Sequence, residues 1–493
     1  MRVKTGSHEL ENYLTDASNL RGGHAEKLFI PESAEEISEI LKEANAGKIP
    51  ITISGARTGT VAGAIPFGGH IISLERLDRI REINENSATV ESGVLLIDLQ
   101  KAVDAENLFY PPDPTEWSCQ IGGTVATNAS GARSFKYGAT RKFVDRLRIV
   151  LPMGEILDLK RGEIFAENGF VEIGGFRAKV PTYRQPDVRK NTSGYFSDEK
   201  LDAVDLFVGS EGTLGVVTEI ELTLLPKPEG FLSGIVFFKS EIDLLSFVNE
   251  ARKASFETRK IRNSQSEFRN QIDASLLEYF DGESLKFIKE KFPETPEEME
   301  GAIFFEQETC AKTEDALFAK WNVLLEKHNA ELDASWFTTS EPDAEKMREF
   351  RHALPVSVNE RIVRYKQRKV GTDMAVPDAK FPSFLEFYKE KLSESGLDHV
   401  IFGHIGDNHL HANLLPKNDD EAKRAQHLYG RFIAQALMLG GTISAEHGIG
   451  KLKSKYLEVM YGERFLSEMA LLKRAFDPNG ILGRGNMFDE KFL

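Results

Sequence analysis

Three short stretches of small residues constrain this chain more than any other feature. The first, Ile51-Thr-Ile-Ser54-Gly55-Ala56-Arg57-Thr58-Gly59-Thr60, leads from a β-branched segment into a loop with glycines at 55, 59 and 63. The second is Pro111-Pro112-Asp113-Pro-Thr115, followed by Gln120-Ile-Gly122-Gly123-Thr124-Val-Ala-Thr127-Asn128-Ala-Ser130-Gly131, and the third is Val208-Gly209-Ser210-Glu211-Gly212-Thr213-Leu-Gly215-Val216. Glycine permits tight turns and brings backbone N–H groups close to an anionic ligand without an intruding Cβ. One such loop reads equally as a hairpin or a surface turn. Three of them predict one extended ligand, with a pyrophosphate held at the first.

None of the three is a Rossmann or Walker A motif. Gly209, Gly212 and Gly215 are spaced three and three, the first loop is not followed by a helix carrying an acidic residue near position twenty of the unit, and no Gly-Lys-Ser or Gly-Lys-Thr is present where a P-loop needs it. At 493 residues the chain exceeds what one hydrophobic core serves, so two or three domains are expected. A net charge of −15 argues against nucleic-acid binding and against broad attraction to anionic lipid. Cys119 and Cys310 are too few for a disulfide framework, which favours a reducing compartment. The N-terminus has no apolar signal region and no later window is an uncharged span, so the expectation is a cytoplasmic protein, with peripheral membrane contact left open.

Along the chain, residues 31–45 predict an amphipathic helix capped by Ser33 and stopped by Gly47, and 49–53 a strand entering the first loop. Strands follow near 71–74 and 88–93, a helix over 96–106, a hairpin over 147–159 and a strand over 216–224. Pro226-Lys-Pro228-Glu-Gly230 breaks the pattern, so a domain boundary is placed there. A second α+β unit begins with a strand at 234–238, with helices expected near 241–254, 272–280 and 312–328. Further helices are read at 341 onward, 381–394 and 420–439, and two helical runs end at Phe476. The domains are therefore expected at 1–228, 229–440 and 441–493.

Two other stretches carry chemistry. In Gly403-His404-Ile-Gly-Asp407-Asn408-His409-Leu-His411-Ala-Asn413, His409 and His411 alternate with Leu410 and would share one face of a strand. Neutral imidazoles offer metal lone pairs, and buried hydrogen-bonding histidines fit the same pattern. In Glu446-His447-Gly448, a glutamate can complete a divalent-metal site beside a histidine facing substrate, or it can satisfy backbone donors at a helix start. Arg351 reads as an ordinary surface residue or as a fork for a carboxylate.

The ordered set Ser54-Gly-Ala-Arg-Thr-Gly59, Pro111-Pro-Asp-Pro-Thr115, Ile121-Gly-Gly-Thr-Val-Ala-Thr-Asn128, Val208-Gly-Ser-Glu-Gly-Thr-Leu-Gly215, Gly403-His-Ile-Gly-Asp407, Gly441-Thr-Ile-Ser-Ala-Glu-His-Gly448 and Phe476-Asp-Pro-Asn-Gly-Ile-Leu482 resembles the FAD-linked oxidases of the vanillyl-alcohol oxidase superfamily. The branch it is most similar to contains the D-lactate, D-2-hydroxyglutarate and glycolate dehydrogenases.

The resemblance implies an α+β protein with a PCMH-type FAD-binding domain and an α+β substrate-binding cap, the last segment returning toward the FAD domain. It implies FAD held by Ser54, Gly55, Ala56, Arg57, Thr58, Gly59 and Thr60, by Pro112, Asp113, Thr115, Gly122, Gly123, Asn128 and Gly131, and by Glu211, Gly212, Gly215 and Val216. No histidine or cysteine tether is matched, so noncovalent binding is expected. It also implies a divalent metal (zinc, manganese or iron) on His404, His411 and Glu446, His447 as base, and Arg351 with Asn413 for the substrate carboxylate. The sequence departs from the family in having Arg57 where glycine is frequent, and Asn408-His409 where relatives have Gly-Asn.

The expected reaction is oxidation of a D-2-hydroxy acid, D-lactate first, to the 2-oxo acid, with D-2-hydroxyglutarate and glycolate as alternatives. The segment Gly371-Thr372-Asp373 lacks the lysine of hydroxyglutarate-type relatives, although the basic run Arg361 to Lys369 offers other cations. Electrons are expected to pass to a quinone, an electron-transfer flavoprotein or a cytochrome, with a homodimer left open. A metal-dependent hydrolase would leave the glycine loops without a ligand. A noncatalytic flavin-binding protein would leave the histidines without a role.

Overall fold

The computed structural model describes residues 1–262 and 270–493, which fall into two compact α+β units. The first comprises Met1–Ser130, Ala139–Lys227 and Thr442–Leu493, and the second Gly131–Gly138 and Pro228–Gly441.

In the first unit the helix Ala34–Gly47 starts where Ser33 is extended and its hydroxyl accepts from the Glu36 amide at 3.3 Å. Ile37, Ile40, Leu41 and Ala44 recur on one face and are buried. Each aliphatic side chain as large as Ile or Leu withdrawn from water contributes roughly 1.5–3 kcal/mol. Gly47 is the last helical residue and not the stop. Lys48, at φ 53°, takes the left-handed conformation that ends the helix.

The strand Ile51–Ser54 then lies parallel to His70–Ser73, which is parallel to Lys27–Ile30, with Arg2–Lys4 added antiparallel. Ile37, Leu41, Ile51, Ile72, Val150 and Val216 share one buried cluster under this helix. A second, antiparallel sheet runs in the order Ile80–Ile83, Ser87–Glu91, Val216–Thr223, Val144–Val150 and Ile156–Lys160. The expected hairpin forms its edge, with Leu147 opposite Leu159 and Val150 opposite Ile156.

The C-terminal helix Ser454–Phe476 bends at Gly462, where φ is 79°, so it is the two helical runs expected. Its last turn carries a buried ion pair. Lys473 Nζ donates to Asp477 Oδ2 at 2.7 Å, to the Thr213 carbonyl at 2.7 Å and to the Leu482 carbonyl at 2.9 Å. Asp477 in turn accepts from the amides of Ile481 and Leu482 at 3.0 and 2.9 Å.

The second unit is built on a seven-stranded antiparallel sheet, in the order Trp336–Thr338, Gly230–Phe238, Gly301–Thr309, Leu276–Asp281, His399–Gly403, His411–Leu414 and Val370–Gly371. The helix expected near 272–280 is therefore corrected to a strand. All six of its residues, Leu-Leu-Glu-Tyr-Phe-Asp, are buried, because it lies in the middle of the sheet and is covered on both faces. A run buried on both faces loses the alternation that distinguishes strand from helix. The helix Glu341–Arg364 lays Met347, Phe350, Leu354 and Val358 on the sheet residues Phe280 and Phe304. Among the described residues no helix is long and apolar enough to cross a membrane.

Removing one partner of a buried ion pair strands the other charge, at a cost of about 3–5 kcal/mol. Asp477→Ala should therefore lower the thermal midpoint by roughly 10 °C. Lys473→Met should lower it less, because Asp477 keeps its two amide donors. Thermal unfolding followed by circular dichroism checks both.

Candidate functional site

The three small-residue loops of the first unit converge. The amides of Gly209 and Glu211 donate to the carbonyls of Val125 and Ala126, at 2.9 and 2.8 Å, which ties the third loop to the helix Ile121–Thr127. A Cβ on Gly55 would lie 3.2 Å from Gln120 Oε1, and one on Gly212 would lie 3.5 Å from Ile53. Ser54 is buried, Ala56 and Thr58 are half-buried, and Gly59 and Thr60 are exposed.

Arg57 adopts φ 61°, and its guanidinium bonds Ser54 Oγ and the Gly55 carbonyl while lying 4.6 Å over the Tyr13 ring. Gly122 must be glycine for packing, since a Cβ there would meet Ser92 Cβ at 2.6 Å. Asn128 is left-handed and its Oδ1 accepts from the Arg141 amide at 2.9 Å. Pro112 is buried, Thr115 exposed, and Asp113 accepts from the Trp117 indole at 3.2 Å. Gly215 backs onto the Val150 carbonyl as Val216 begins its strand, and Gly131 falls in the second unit.

Two observations fit these loops to a bound cofactor. A Cβ added at Gly59 or Gly123 would meet nothing within 4 Å, so the backbone there borders open space. Gln120 Oε1 is buried without a hydrogen-bond partner, a cost that a ligand donor would remove.

Glu211 does something the sequence does not suggest. Its carboxylate turns inward and accepts from the amides of Ile449 and Gly450 at 2.6 and 2.7 Å, fixing the turn that follows Glu446-His447. Burial raises its carboxyl above the usual range, opposed by the two amides and by Lys453 and Lys451.

Glu446 itself accepts from Ser130 Oγ at 3.1 Å and from Lys190 Nζ at 3.2 Å, and His447 Nε2 lies 3.7 Å from its other oxygen. Ser130, Lys190 and Ala445 all line a cavity of about 590 Å³ in this unit, together with Arg141, Arg161 and Arg189. The pairing of Glu446 with Lys190 was not foreseen. The only signal for it is the basic step Arg189-Lys190 before Asn191.

In the second unit the strand His399–Gly403 ends at a glycine of φ 132°, and His404 follows. The turn Ile405–Asp407 and left-handed Asn408 reverse the chain into His409 and the strand His411–Leu414. Ser134 of the segment Gly131–Gly138 supports this turn by donating to Asp407 Oδ2 at 2.9 Å, and Phe135 packs against Gly406.

The three imidazoles cluster. Ring centroids are 4.5 Å apart for His409 and His411, 5.6 Å for His404 and His409, and 5.8 Å for His404 and His411. A ring nitrogen from each lies within 4.8 Å of the others, close enough to hold one ion. His404 Nδ1 is 2.6 Å from Glu278 Oε1, and His411 Nδ1 is 2.9 Å from the Thr372 carbonyl. Each Nδ1 therefore carries the proton and leaves the lone pair on Nε2, the usual arrangement around ligating histidines. His409, fully buried, has Nε2 3.1 Å from Asp373 Oδ1.

Arg351 is nine-tenths buried, with Nε donating to Glu278 Oε2 at 3.1 Å. Asn413 lies opposite Gly371, and its amide donates to the His411 carbonyl at 3.3 Å. Glu278 is absent from the residues the sequence singles out, although a lone acid inside Leu276-Leu-Glu-Tyr-Phe is a recognisable signal once the run is known to be a buried strand.

Over 99% of its length the chain is 30% identical to a D-lactate dehydrogenase of Anaerostipes hadrus, covering 94% of that protein. A family model for an FAD binding domain matches residues 25–160, and one for the C-terminal domain of FAD linked oxidases matches 259–487. The chain belongs to the FAD-linked oxidases.

Other relatives of this FAD-linked oxidase are a D-2-hydroxyglutarate dehydrogenase of Xanthomonas citri pv. viticola (30% identity, 99% of this chain, 94% of the relative) and a glycolate oxidase subunit of Bacillus subtilis (29%, 97% and 92%). Among solved structures, p-cresol methylhydroxylase matches with a TM-score of 0.71 at 14% identity, over 99% of this chain and 94% of that one, a likeness of fold. The expected α+β fold and FAD binding hold, and the histidine cluster is suited to a divalent ion.

Losing the Glu211 carboxylate would leave two buried amides without acceptors, on the order of 3 kcal/mol. Glu211→Ala should therefore lower the thermal midpoint and the FAD retained on gel filtration, and Glu211→Gln should lower both less. Midpoint and flavin absorbance per chain are the measurements.

Proposed function

We propose that this FAD-linked oxidase converts a D-2-hydroxy monocarboxylate, D-lactate first among them, to its 2-oxo acid. The observation that carries this is the buried histidine cluster whose His404 shares one carboxylate, Glu278, with Arg351. A metal-ligating imidazole and a guanidinium fork held by one group suit a substrate with a hydroxyl and a carboxylate on adjacent carbons. The relatives named for D-lactate, glycolate and D-2-hydroxyglutarate all act on that unit.

FAD, held noncovalently, would rest on the amides near Gly55, Thr58, Gly59 and Thr60 and on the loops 111–131 and 209–216. His404, His411 and Glu446 would hold one divalent cation. Bound FAD supplies a two-electron acceptor, and the cation supplies Lewis-acid polarisation of the hydroxyl. Arg351 binds the carboxylate and fixes the α-carbon, with Asn413, on the strand that carries His411, as a second polar contact. His447 takes the hydroxyl proton at Nε2, which lies 3.7 Å from the Glu446 carboxylate. The α-hydrogen then leaves as hydride.

Preference for a monocarboxylate rests on Gly371-Thr372-Asp373, where Thr372 bonds His411, Asp373 faces His409, and no lysine is present. Within the neighbouring basic run Arg361 is engaged by Glu290 and lies over the Phe287 ring. The reduced enzyme would pass electrons to a quinone, an electron-transfer flavoprotein or a cytochrome.

Anaerobic addition of D-lactate to the purified yellow protein should bleach the flavin, with kcat/KM for D-lactate above that for D-2-hydroxyglutarate under one artificial acceptor. A strong preference for hydroxyglutarate overturns the monocarboxylate assignment.

His404→Ala and Glu446→Ala should each lose bound metal and at least about 100-fold in turnover while keeping FAD. His447→Ala should keep metal yet lose flavin reduction. Elemental analysis paired with flavin quantitation separates these outcomes.

A further inference from the structure

Glu278 stands in the centre of the second unit's sheet, on the strand Leu276–Asp281, opposite Phe304 on one side and next to the strand that delivers His404 on the other. Its carboxylate is almost wholly buried, and its two oxygens face different partners. Oε1 takes the Nδ1 proton of His404 at 2.6 Å, and Oε2 takes the Nε proton of Arg351 at 3.1 Å.

A second buried carboxylate on the same sheet is also met by arginines. Glu306, on the adjacent strand Gly301–Thr309, is fully buried and is bonded by Arg133 at 3.1 Å and by Arg348 at 3.2 Å. Arg348 and Arg351 are one turn apart on the helix Glu341–Arg364, yet each serves its own glutamate. Of these two carboxylates, Glu278 is the one bonded to a histidine of the cluster among the described residues.

We propose that Glu278 is a positioning residue that couples metal binding to substrate recognition, a role that rests on the function proposed above. One oxygen fixes the tautomer of His404, so that Nε2 keeps its lone pair and gains basicity. The other fixes the plane in which the terminal guanidinium nitrogens of Arg351 lie, and a carboxylate is recognised bidentately only in that plane. A single anion thus sets the geometry of both recognition elements and balances the charge of the Arg351 guanidinium.

The two halves of the role respond differently to substitution. Glu278→Gln is isosteric. Its carbonyl still accepts from His404, but its amide nitrogen presents hydrogens to the Nε–H of Arg351. Glu278→Ala removes both contacts.

The test uses FAD-loaded wild type, Glu278→Gln, Glu278→Ala and Glu306→Gln, each stripped of metal with a chelator and titrated with Zn²⁺ and with Mn²⁺. FAD per chain and the thermal midpoint are recorded alongside, and KM and kcat for D-lactate are taken at saturating metal. Glu278→Ala should weaken metal binding about 10–100-fold and raise KM at least tenfold with FAD content unchanged. Glu278→Gln should nearly match it in KM while losing less than about tenfold in metal affinity. Glu306→Gln should lower the midpoint and leave metal affinity and KM at wild-type values.

Wild-type metal affinity and KM in both Glu278 variants would overturn the proposal, as would metal and KM losses in Glu306→Gln equal to those of Glu278→Ala. Wild type that takes up neither ion would instead defeat the metal reading of the histidine cluster, and the coupling with it. If Glu278→Ala does not fold, the KM and metal values of Glu278→Gln decide.

Discussion

An ammonium taken wholly out of water must be met by oxygen atoms fixed in advance, and Lys473 is met by three of them. Each belongs to a different piece of chain: Thr213 in the third small-residue loop, Asp477 at the helix end and Leu482 in the return that follows. That return also pairs with the first loop's strand, for the Ile51 amide donates to the Ile481 carbonyl at 2.7 Å and the Gly483 amide to the Ile51 carbonyl at 2.9 Å. Fixing one cation therefore fixes two of the three loops that border the cofactor space. A glycine loop is costly in backbone entropy, and its shape persists only when its surroundings over-determine it. Lys473 and Asp477 provide that determination from within one unit.

The second unit solves a related problem with anions. Its sheet carries Glu278, Glu306 and Glu308 on neighbouring strands, positions where an unpaired carboxylate would be expelled. Arg351 serves the first, Arg133 and Arg348 the second, and Lys136 the third at 2.9 Å. Two of these cations come from the eight-residue segment Gly131–Gly138, which lies in sequence beside the second small-residue cluster but is built into this unit. Its residues Ser134 and Phe135 also hold the histidine turn. Of these carboxylates Glu278 orients an imidazole of the cluster, His404, while the Thr372 carbonyl orients His411.

Much of this was legible in the sequence, and the exceptions have physical causes. The helix capped by Ser33, the hairpin ending at 159 and the strand from Val216 could be read because one face of each is wet and the period shows. The strand Leu276–Asp281 could not, because both of its faces are dry and its pattern has no period. Glu278 was lost with it, since a glutamate in a supposed helix is unremarkable whereas one in a central strand demands a partner. Lys190 escaped for a different reason. Its partner Glu446 is 256 residues away, and no local pattern reports a contact of that separation. The three histidines were visible through their spacing, and the family through the ordered motifs from Ser54 to Leu482.

The departure at Asn408-His409 is explained by backbone geometry acting before chemistry. The turn needs a left-handed residue at 408, and Asn408 supplies φ 54° where the resembling enzymes have glycine, since asparagine tolerates that region better than other side chains. Its amide is then used, donating to Asp378 Oδ1 at 2.7 Å, the same oxygen that takes Arg252 at 3.0 Å. With the turn closed in this way the next side chain must point inward, and His409 is carried into the cluster beside His411. Asparagine there would offer an amide oxygen. Histidine offers a nitrogen donor, and its Nε2 lies 3.1 Å from Asp373 Oδ1. A third imidazole beside His404 and His411 adds to the cluster a nitrogen donor of the kind that zinc and iron favour. The two-residue departure at the end of the turn thus changes which donor atoms the cluster offers, His409 adding its imidazole to those of His404 and His411.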